Sequence, residues 1–257
     1  MNLCQMNILA PLWLSKMYAS LPCYDQYADR MRLDKTLAYL RVFDSDIYCL
    51  SEVQEQDLPT IRRLFDSWFV VYSSHECGFW KEWLEGKEWI SNGTCIMIRK
   101  SQLTLLDPRS IDLGNGCTAS HAMVVRVGTG LRISIISLHL DTSEGVRNEH
   151  RVEERLEGTR LQEQLDRLVH YLQSIDYDVS IISGDWNTTD VSRFTSLGYV
   201  ETASGLQSTP IPQGRIDHTL VLGAIDVEGQ VHSLGDACST VHVNGSDHYA
   251  TTSTIWC

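Results

Sequence analysis

The sequence predicts an α/β protein in which mixed, largely antiparallel sheets carry helices on their outer faces. Short apolar segments with strand composition outnumber the segments with helical spacing, and the two kinds do not alternate one for one. No linker, internal repeat or low-complexity tract interrupts the pattern. We therefore predict a single domain that takes up all 257 residues, 1–257.

The individual elements follow from two spacing patterns. Clustered apolar and β-branched residues predict strands over Leu3–Leu9, Asp46–Leu50, Trp68–Tyr72, Thr94–Ile98, Ala122–Val127, Arg132–Leu138, Val179–Ile182, Thr219–Leu222 and Ala250–Ile255. Leucines that recur every three or four positions predict helices over Leu33–Phe43, Leu58–Phe65 and Glu149–Gln173. Trp80, Trp83 and Trp89 fit either a lid with a base-stacking face or a surface helix that packs its tryptophans inward.

The charge balance limits the kind of substrate. The net charge is −12 at pH 7, and the chain lacks the basic face with which proteins track long nucleic acid. The balance therefore favours a short or small phosphate ester over tight tracking of a duplex, so that nucleic acid would be bound as a short or single-stranded segment. A metal ion would add positive charge to such an acidic site.

Cysteine usage and hydropathy bear on the compartment. The eight cysteines are scattered without a Cys-x-x-Cys pair, and Cys49 and Cys95 lie in apolar runs where a free thiol acts as a small hydrophobe. No apolar run is long enough to span a bilayer, and residues 1–17 lack a basic leader. We expect a monomer of the cytosol or nucleus without signal peptide, membrane span or structural zinc.

Polar residues recur where the predicted strands end. They form the clusters Ser51-Glu52, Gly184-Asp185-Trp186-Asn187, Arg215-Ile216-Asp217 and Gly245-Ser246-Asp247-His248. Strand ends that share one rim of a layered α/β fold are a common place for a site. Taken singly, each cluster also fits a turn or a cap beside a strand.

Carboxylates dominate these clusters. Asp185 and Asn187 are two positions apart on an extended segment, so their side chains can point to the same side. Glu52 offers the hard oxygen ligand that suits Mg²⁺. These residue types can hold a divalent cation and direct a water molecule.

Histidines and an asparagine complete the set of candidates. A buried Asp217 needs a partner, and His248 can supply one because the carboxylate favours the charged ring. His218 would face the other way on its strand, which suits a structural role. Asn7 and His139 lie within apolar strands and fit either a ligand-facing group or a buried side chain that bonds to the backbone.

Taken together and in order, these residues resemble the endonuclease/exonuclease/phosphatase superfamily. The matching segments cover nearly the whole chain and are Met-Asn-Ile-Leu with Asn7, Ser-Glu-Val-Gln with Glu52, Asn-Gly-Thr-Cys-Ile-Met-Ile at 92–98, Ser-Leu-His-Leu with His139, Gly-Asp-Trp-Asn, Arg-Ile-Asp and Ser-Asp-His. The resemblance implies a four-layer α/β sandwich, with two mixed, largely antiparallel sheets packed face to face and helices outside. It also implies cleavage of phosphate esters that depends on Mg²⁺ or Mn²⁺.

The resemblance also implies a role for each residue. The metal group would be Glu52 as principal ligand, Asn7 beside it, and Asp247. The catalytic group would be Asp185, Asn187, His139, Asp217 and His248. In these roles Asp185 activates the attacking water, Asn187 orients the phosphate or that water, and His139 donates to a phosphate oxygen. Asp217 pairs with His248, which stabilises charge on phosphorus.

The opening of the chain resembles the deadenylase and 2′,5′-phosphodiesterase branch, because Asn-Ile-Leu-Ala is followed by a tyrosine-rich insert. A phosphodiesterase for nucleic acid, with RNA ahead of DNA, is therefore the first hypothesis. An enzyme for a small or lipid phosphate ester is the second, and the net charge favours it. The segment after His139 also resembles the tyrosyl-DNA phosphodiesterases. A binding module without activity is disfavoured because no expected catalytic position is substituted.

Overall fold

Two six-stranded sheets form the framework of the protein. The computed structural model describes residues 1–10, 22–27, 31–75, 92–141, 154–203, 207–210 and 215–257. The first sheet is built from β1 (Asn2–Asn7), β2 (Ile47–Gln54), β3 (Trp68–His75), β4 (Asn92–Arg99), β11 (Asp226–His232) and β12 (Ala250–Trp256). The second is built from β5 (Leu103–Gly114), β6 (Cys117–Arg126), β7 (Arg132–His139), β8 (Val179–Asp185), β9 (Val200–Glu201) and β10 (Asp217–Leu222).

Both sheets are mixed. The strand orders are β11-β12-β1-β2-β4-β3 and β5-β6-β7-β8-β10-β9. The pair β1–β2 is parallel in the first sheet and the pair β7–β8 is parallel in the second, while the remaining pairs are antiparallel. Because parallel strands end at the same edge, the carboxyl ends of the two central strands of each sheet share a rim.

Helices cover the outer faces of the sheets. They are α1 (Tyr24–Tyr27), α2 (Arg32–Arg41), α3 (Leu58–Leu64), α4 (Glu154–Gln173), α5 (Ser192–Thr195) and α6 (Ala237–Asn244), and a 3₁₀ turn at Glu55–Asp57 precedes α3. Leu37 and Leu40 of α2 pack on the first sheet, and Leu161 and Leu168 of α4 pack on the second. A third apolar cluster lies between the sheets. The predicted four-layer sandwich is confirmed.

The structure adds elements that the spacing patterns miss. Strands β5, β9 and β11 and helices α1, α5 and α6 have no counterpart among the predicted elements. Strand β11 lies at a sheet edge and exposes alternate side chains, so it contains no apolar run to detect. Helix α4 begins at Glu154, and residues 149–153 of the predicted helix lie outside the described residues. The segment with Trp80, Trp83 and Trp89 also lies outside them.

Two cysteines differ from the expectation of scattered thiols. Cys23 and Cys238 form a disulfide across 215 residues of sequence, a pairing that no local spacing could reveal. Cys49 and Cys95 are buried free thiols, as predicted. Within the described residues, no helix is both long and apolar enough to cross a membrane.

Candidate active site

The ends of β1 and β2 hold the first two site residues. The sequence predicted that strand β2 ends at Glu52. The strand instead continues to Gln54, past a bulge between Ser51 and Val53. Glu52 lies at this bulge with a φ of 60°, a strained conformation that recurs at functional sites. The Asn7 Nδ2 group donates to Glu52 Oε1 at 2.8 Å, and the backbone N–H of Ala10 donates to Oε2 at 2.7 Å.

Asn7 also reaches the second sheet. Its Nδ2 group donates to Asp185 Oδ2 at 3.1 Å, while its Oδ1 accepts from the backbone N–H of Leu9 at 2.9 Å. One amide therefore bridges the buried carboxylates of Glu52 and Asp185. The contact joins residues that are 178 positions apart.

Asp185 is placed by the end of β8. A Cβ on Gly184 would lie 2.0 Å from the carbonyl oxygen of Leu138, so only glycine lets the strand approach β7 this closely. The backbone N–H of Asn187 donates to Asp185 Oδ1 at 2.9 Å, and Asn187 Nδ2 donates to the carbonyl of Leu140 at 2.7 Å. Asn187 thus orders the turn that follows the strand.

Asp217 and His248 form a hydrogen-bonded pair across the two sheets. His248 Nδ1 lies 2.7 Å from Asp217 Oδ2, and Gln5 Nε2 donates to Asp217 Oδ1 at 2.7 Å. The Ser208 hydroxyl accepts the backbone N–H groups of Ile216 and Asp217, each at 3.1 Å. Both oxygens of this carboxylate are therefore engaged.

The remaining candidates converge on Asp185. His248 Nε2 and His139 Nε2 each lie 3.8 Å from Asp185 Oδ2. Asp247 is 7% exposed, and its negative charge helps to raise the pKa values of both Glu52 and His248. The structure thus brings all eight predicted residues to one rim, with Asn187 contributing through its backbone and its amide to the turn.

Burial and neighbouring charges shift the pKa values of the site in different directions. Burial is the main cause that raises the pKa of Glu52 and of Asp185, and the charges of Asp247 and Asp217, respectively, add to it. Burial also acts on Asp217, but the charge and hydrogen bond of His248, with Gln5, hold the pKa of Asp217 below its usual range. Although burial opposes it, the carboxylates around His248 raise the pKa of that ring well above 6.5.

On one side of the rim, the carboxylate oxygens form a set of ligands that suits a hard cation. Side-chain ligand atoms of Asp185, Asp217 and His248 lie within 4.8 Å of one another. This trio is not a cation cage, because Asp217 occupies Nδ1 of His248 and favours the protonated ring. Glu52 and Asp185 are different: both carboxylates are buried and share one neutral amide, and burial is the main cause that raises their pKa values.

Two further residues support the site without belonging to the predicted clusters. Gln5 faces the same side of β1 as Asn7, and a glutamine inside an apolar strand was a usable signal. Arg32 of α2 donates to the carbonyls of Ile8 and Leu9 and to that of Gly245 at 2.7 Å, so it ties the Asn7 loop to the Asp247 loop. Nothing in the sequence pointed to Arg32.

His218 has the structural role predicted for it. Its Nδ1 lies 2.6 Å from Glu201 Oε1, and its Nε2 lies 2.9 Å from the carbonyl oxygen of Thr188. Both ring nitrogens are therefore engaged on the outer face of the second sheet, away from Asp185.

Residues 24–248 match the Endonuclease/Exonuclease/phosphatase family. The chain belongs to this family. The family comprises hydrolytic phosphoesterases, and a divalent metal ion is their usual requirement. A comparison with curated proteins finds no match.

Solved structures share the fold at low sequence identity. The human Nocturnin catalytic domain with bound sulfate is 17% identical, has a TM-score of 0.71, and the match covers 99% of this chain and 94% of that one. ANGEL2, a 2′,3′-cyclic phosphatase, is 14% identical with a TM-score of 0.74 and the same coverage, 99% and 94%. D. rerio TDP2, complexed with single strand DNA product, is 15% identical with a TM-score of 0.64, covering 100% of this chain and 99% of that one.

Proposed function

We propose that the protein is a divalent-metal-dependent phosphodiesterase that cleaves short or single-stranded nucleic acid, with RNA preferred over DNA. The observation that carries this proposal is the position of Asp185. Its buried carboxylate has two imidazoles within 3.8 Å and accepts a hydrogen bond from the Asn7 amide, and its pKa is raised. A carboxylate in such a place can take a proton from water near neutral pH.

The other side chains divide the work around that water. Asp217 fixes the Nδ1 proton of His248, so Nε2 of the charged ring is left to face the phosphate and stabilise negative charge as it develops. His139, whose Nε2 lies 3.8 Å from Asp185 Oδ2, would donate to a second phosphate oxygen. Asn187 keeps the turn in place, so that Asp185 does not rotate away from the water.

Glu52 and Asp247, with Asn7 beside them, would hold Mg²⁺ or Mn²⁺. The cation would neutralise the buried carboxylates and polarise the phosphate when bound. We expect activity to be lost in excess EDTA and restored by Mg²⁺ or Mn²⁺, with Ca²⁺ a poor substitute because Mg²⁺ imposes tighter octahedral geometry. Full activity in EDTA, or dependence on zinc alone, would contradict the assignment.

The substrate class is tested with a panel. Single-stranded RNA, single-stranded DNA, abasic duplex, 5′-tyrosyl DNA and inositol phosphates would be assayed with Mg²⁺, with Asp185→Asn as the inactive control. The proposal expects RNA to be cleaved fastest. The net charge of −12 favours the second hypothesis, a small or lipid phosphate ester. Turnover of inositol or lipid phosphates without any cleavage of RNA or DNA would decide for that hypothesis.

Binding should show a short footprint on nucleic acid. Each phosphate contact on a single strand contributes a slope of roughly −0.7 in log affinity against log salt. We expect about two to four contacts, and hence a slope shallower than about −3 for the Asp185→Asn variant on an oligonucleotide. A slope near −6 or steeper would reveal an extended basic track and refute the short footprint.

A further inference from the structure

His75, the last residue of β3, carries a hydrogen-bond donor with no use inside the protein. The backbone N–H of Thr118 donates to His75 Nδ1 at 3.0 Å. An imidazole that accepts at Nδ1 must carry its hydrogen on Nε2. Within the part of the chain that the structure describes, this Nε2 is buried and has no hydrogen-bond partner. A buried donor without a partner is costly, so a ligand group that pairs with it would remove that cost.

Two neighbouring strand ends show the same feature. Asn92 of β4 is the register partner of His75 on one side and of Gln54 on the other. Among the described residues, Asn92 Oδ1 and Gln54 Nε2 are also buried without a partner. The Gln54 amide is oriented by its Oε1, which accepts from Gln56 Nε2 at 2.8 Å. Gln54, Asn92 and His75 therefore form a row of donor, acceptor and donor.

This row borders the candidate active site. The ring centre of His75 lies 6.0 Å from that of His139, and Gln54 follows Glu52 by two positions on β2. Burial, with the neighbouring His139, lowers the pKa of His75 to about 3, so the ring is neutral at working pH. A row of neutral groups is poorly suited to a second phosphate and well suited to a neutral polar group of the substrate.

We propose that the row of Gln54, Asn92 and His75 binds a ribose hydroxyl next to the phosphate that is cleaved. A hydroxyl donates and accepts at once, so a single one can join the His75 Nε2–H group to Asn92 Oδ1. A deoxyribose leaves both groups unpaired, which is the kind of discrimination that polar sites achieve. The inference rests on the proposed nuclease function and assigns its sugar preference to these three residues.

The test compares RNA and DNA strands of one sequence, measured as the ratio of their kcat/KM values. His75→Asn places an amide oxygen where Nδ1 accepts from Thr118 and removes the Nε2–H donor. We expect it to lower the RNA-to-DNA ratio about three- to tenfold, the range for one neutral hydrogen bond. His75→Gln returns a donor near the Nε2 position and should recover most of the ratio. Ser74→Ala is the matched control.

Ser74 precedes His75 on β3, and its half-buried side chain points to the other face of the strand, so losing its hydroxyl changes β3 without touching the row. Its ratio should equal that of the wild type. Asn92→Ala removes the acceptor and should also lower the RNA-to-DNA ratio. It replaces His75→Asn in the test if that variant does not fold. An unchanged ratio in a folded variant would mean that the row holds only water, and would overturn the inference while RNA cleavage persists. A wild type that cleaves neither strand would instead refute the proposed function.

Discussion

Asp185 and Asp217 are register partners on neighbouring strands, and both carboxylates are almost completely buried, yet their pKa values shift in opposite directions. Asp217 receives a charged ring and an amide at 2.7 Å each, whereas Asp185 has its two imidazoles at 3.8 Å. Burial is common to both, and each carboxylate accepts two hydrogen bonds, so the charge of the partner decides the direction. The charged ring of His248 bonds directly to Asp217, whereas the charge of Asp217 adds to the rise at Asp185. The difference separates a carboxylate that holds a charge from one that can exchange a proton.

Among the variants that test this comparison, we expect Asp185→Asn to have the largest effect on activity. The change keeps the shape of the side chain and removes the proposed base, which alone is typically worth about 10² to 10⁴ in rate. Because the pKa of Asp185 is raised, its ionised form is unfavourable in the fold, and we expect the metal-free variant to be at least as stable as the wild type. Steady-state kinetics and denaturation in EDTA would measure both effects. Near-normal turnover in the presence of metal would refute the role of base.

Asp217→Asn should behave in the opposite way. It removes the charge that stabilises the ring of His248, so kcat should fall about 100-fold, a typical cost of losing an orienting partner. Breaking a buried pair also costs about 3 kcal/mol or more of stability. The pKa of His248 should drop toward its ordinary value, which NMR of the ring nitrogens would report. If both aspartate variants changed stability by the same amount and sign, the contrast between the two carboxylates would be wrong.

A smaller effect is expected for Gln5→Met, which keeps the volume and removes one donor to Asp217. Hydrogen bonds to charged groups contribute about 1.5 to 3 kcal/mol, so the free energy of unfolding should fall by about that amount. The control is Gln102→Met, since the Gln102 side chain is exposed. Equal stability of the two variants in urea denaturation would show that Gln5 does not support Asp217.

His75 shows the effect of burial without any contribution from a carboxylate, since burial, with the neighbouring His139, lowers its pKa. Its pKa is lowered from 6.5 to about 3, so the unfolded chain takes up a proton on this ring before the folded one does. Stability from this source is full above pH 6.5 and is lost as the pH falls toward 3. Between pH 6 and 4, the wild type should lose about 1.4 kcal/mol per pH unit more than His75→Asn. Parallel stability curves for the two proteins would disprove the low pKa.

The sequence could predict features that neighbouring residues mark, but not features that depend on contacts between distant residues. Asp185, Asp217 and His248 were predictable because each ends or precedes an apolar strand. Gln5 offered a local signal as a glutamine inside an apolar strand, but its partner Asp217 lies 212 residues away and follows only from the fold. Arg32 offered no signal, and its partner Gly245 lies 213 residues away.

Local signals also failed for some elements. Strand β5 carries Pro108 and charged side chains such as Asp107 and Arg109, and its pairing with β6 holds it in place rather than its own composition. The pairing of Cys23 with Cys238 likewise requires the fold, since local spacing cannot choose among eight cysteines. Edge strands and distant cross-links are therefore the parts that only the assembled molecule shows.

The position of β1 between β2 and β12 has a consequence for the order of folding. Asn7 and Gln5 emerge first during synthesis, but Ser246, which donates to the Asn7 carbonyl at 2.6 Å, lies 239 residues later. Contacts of such separation close late and make folding slow. A nascent chain that stops short of His248 therefore has no ring for Asp217 to hold, and we expect truncated translation products to be silent rather than weakly active.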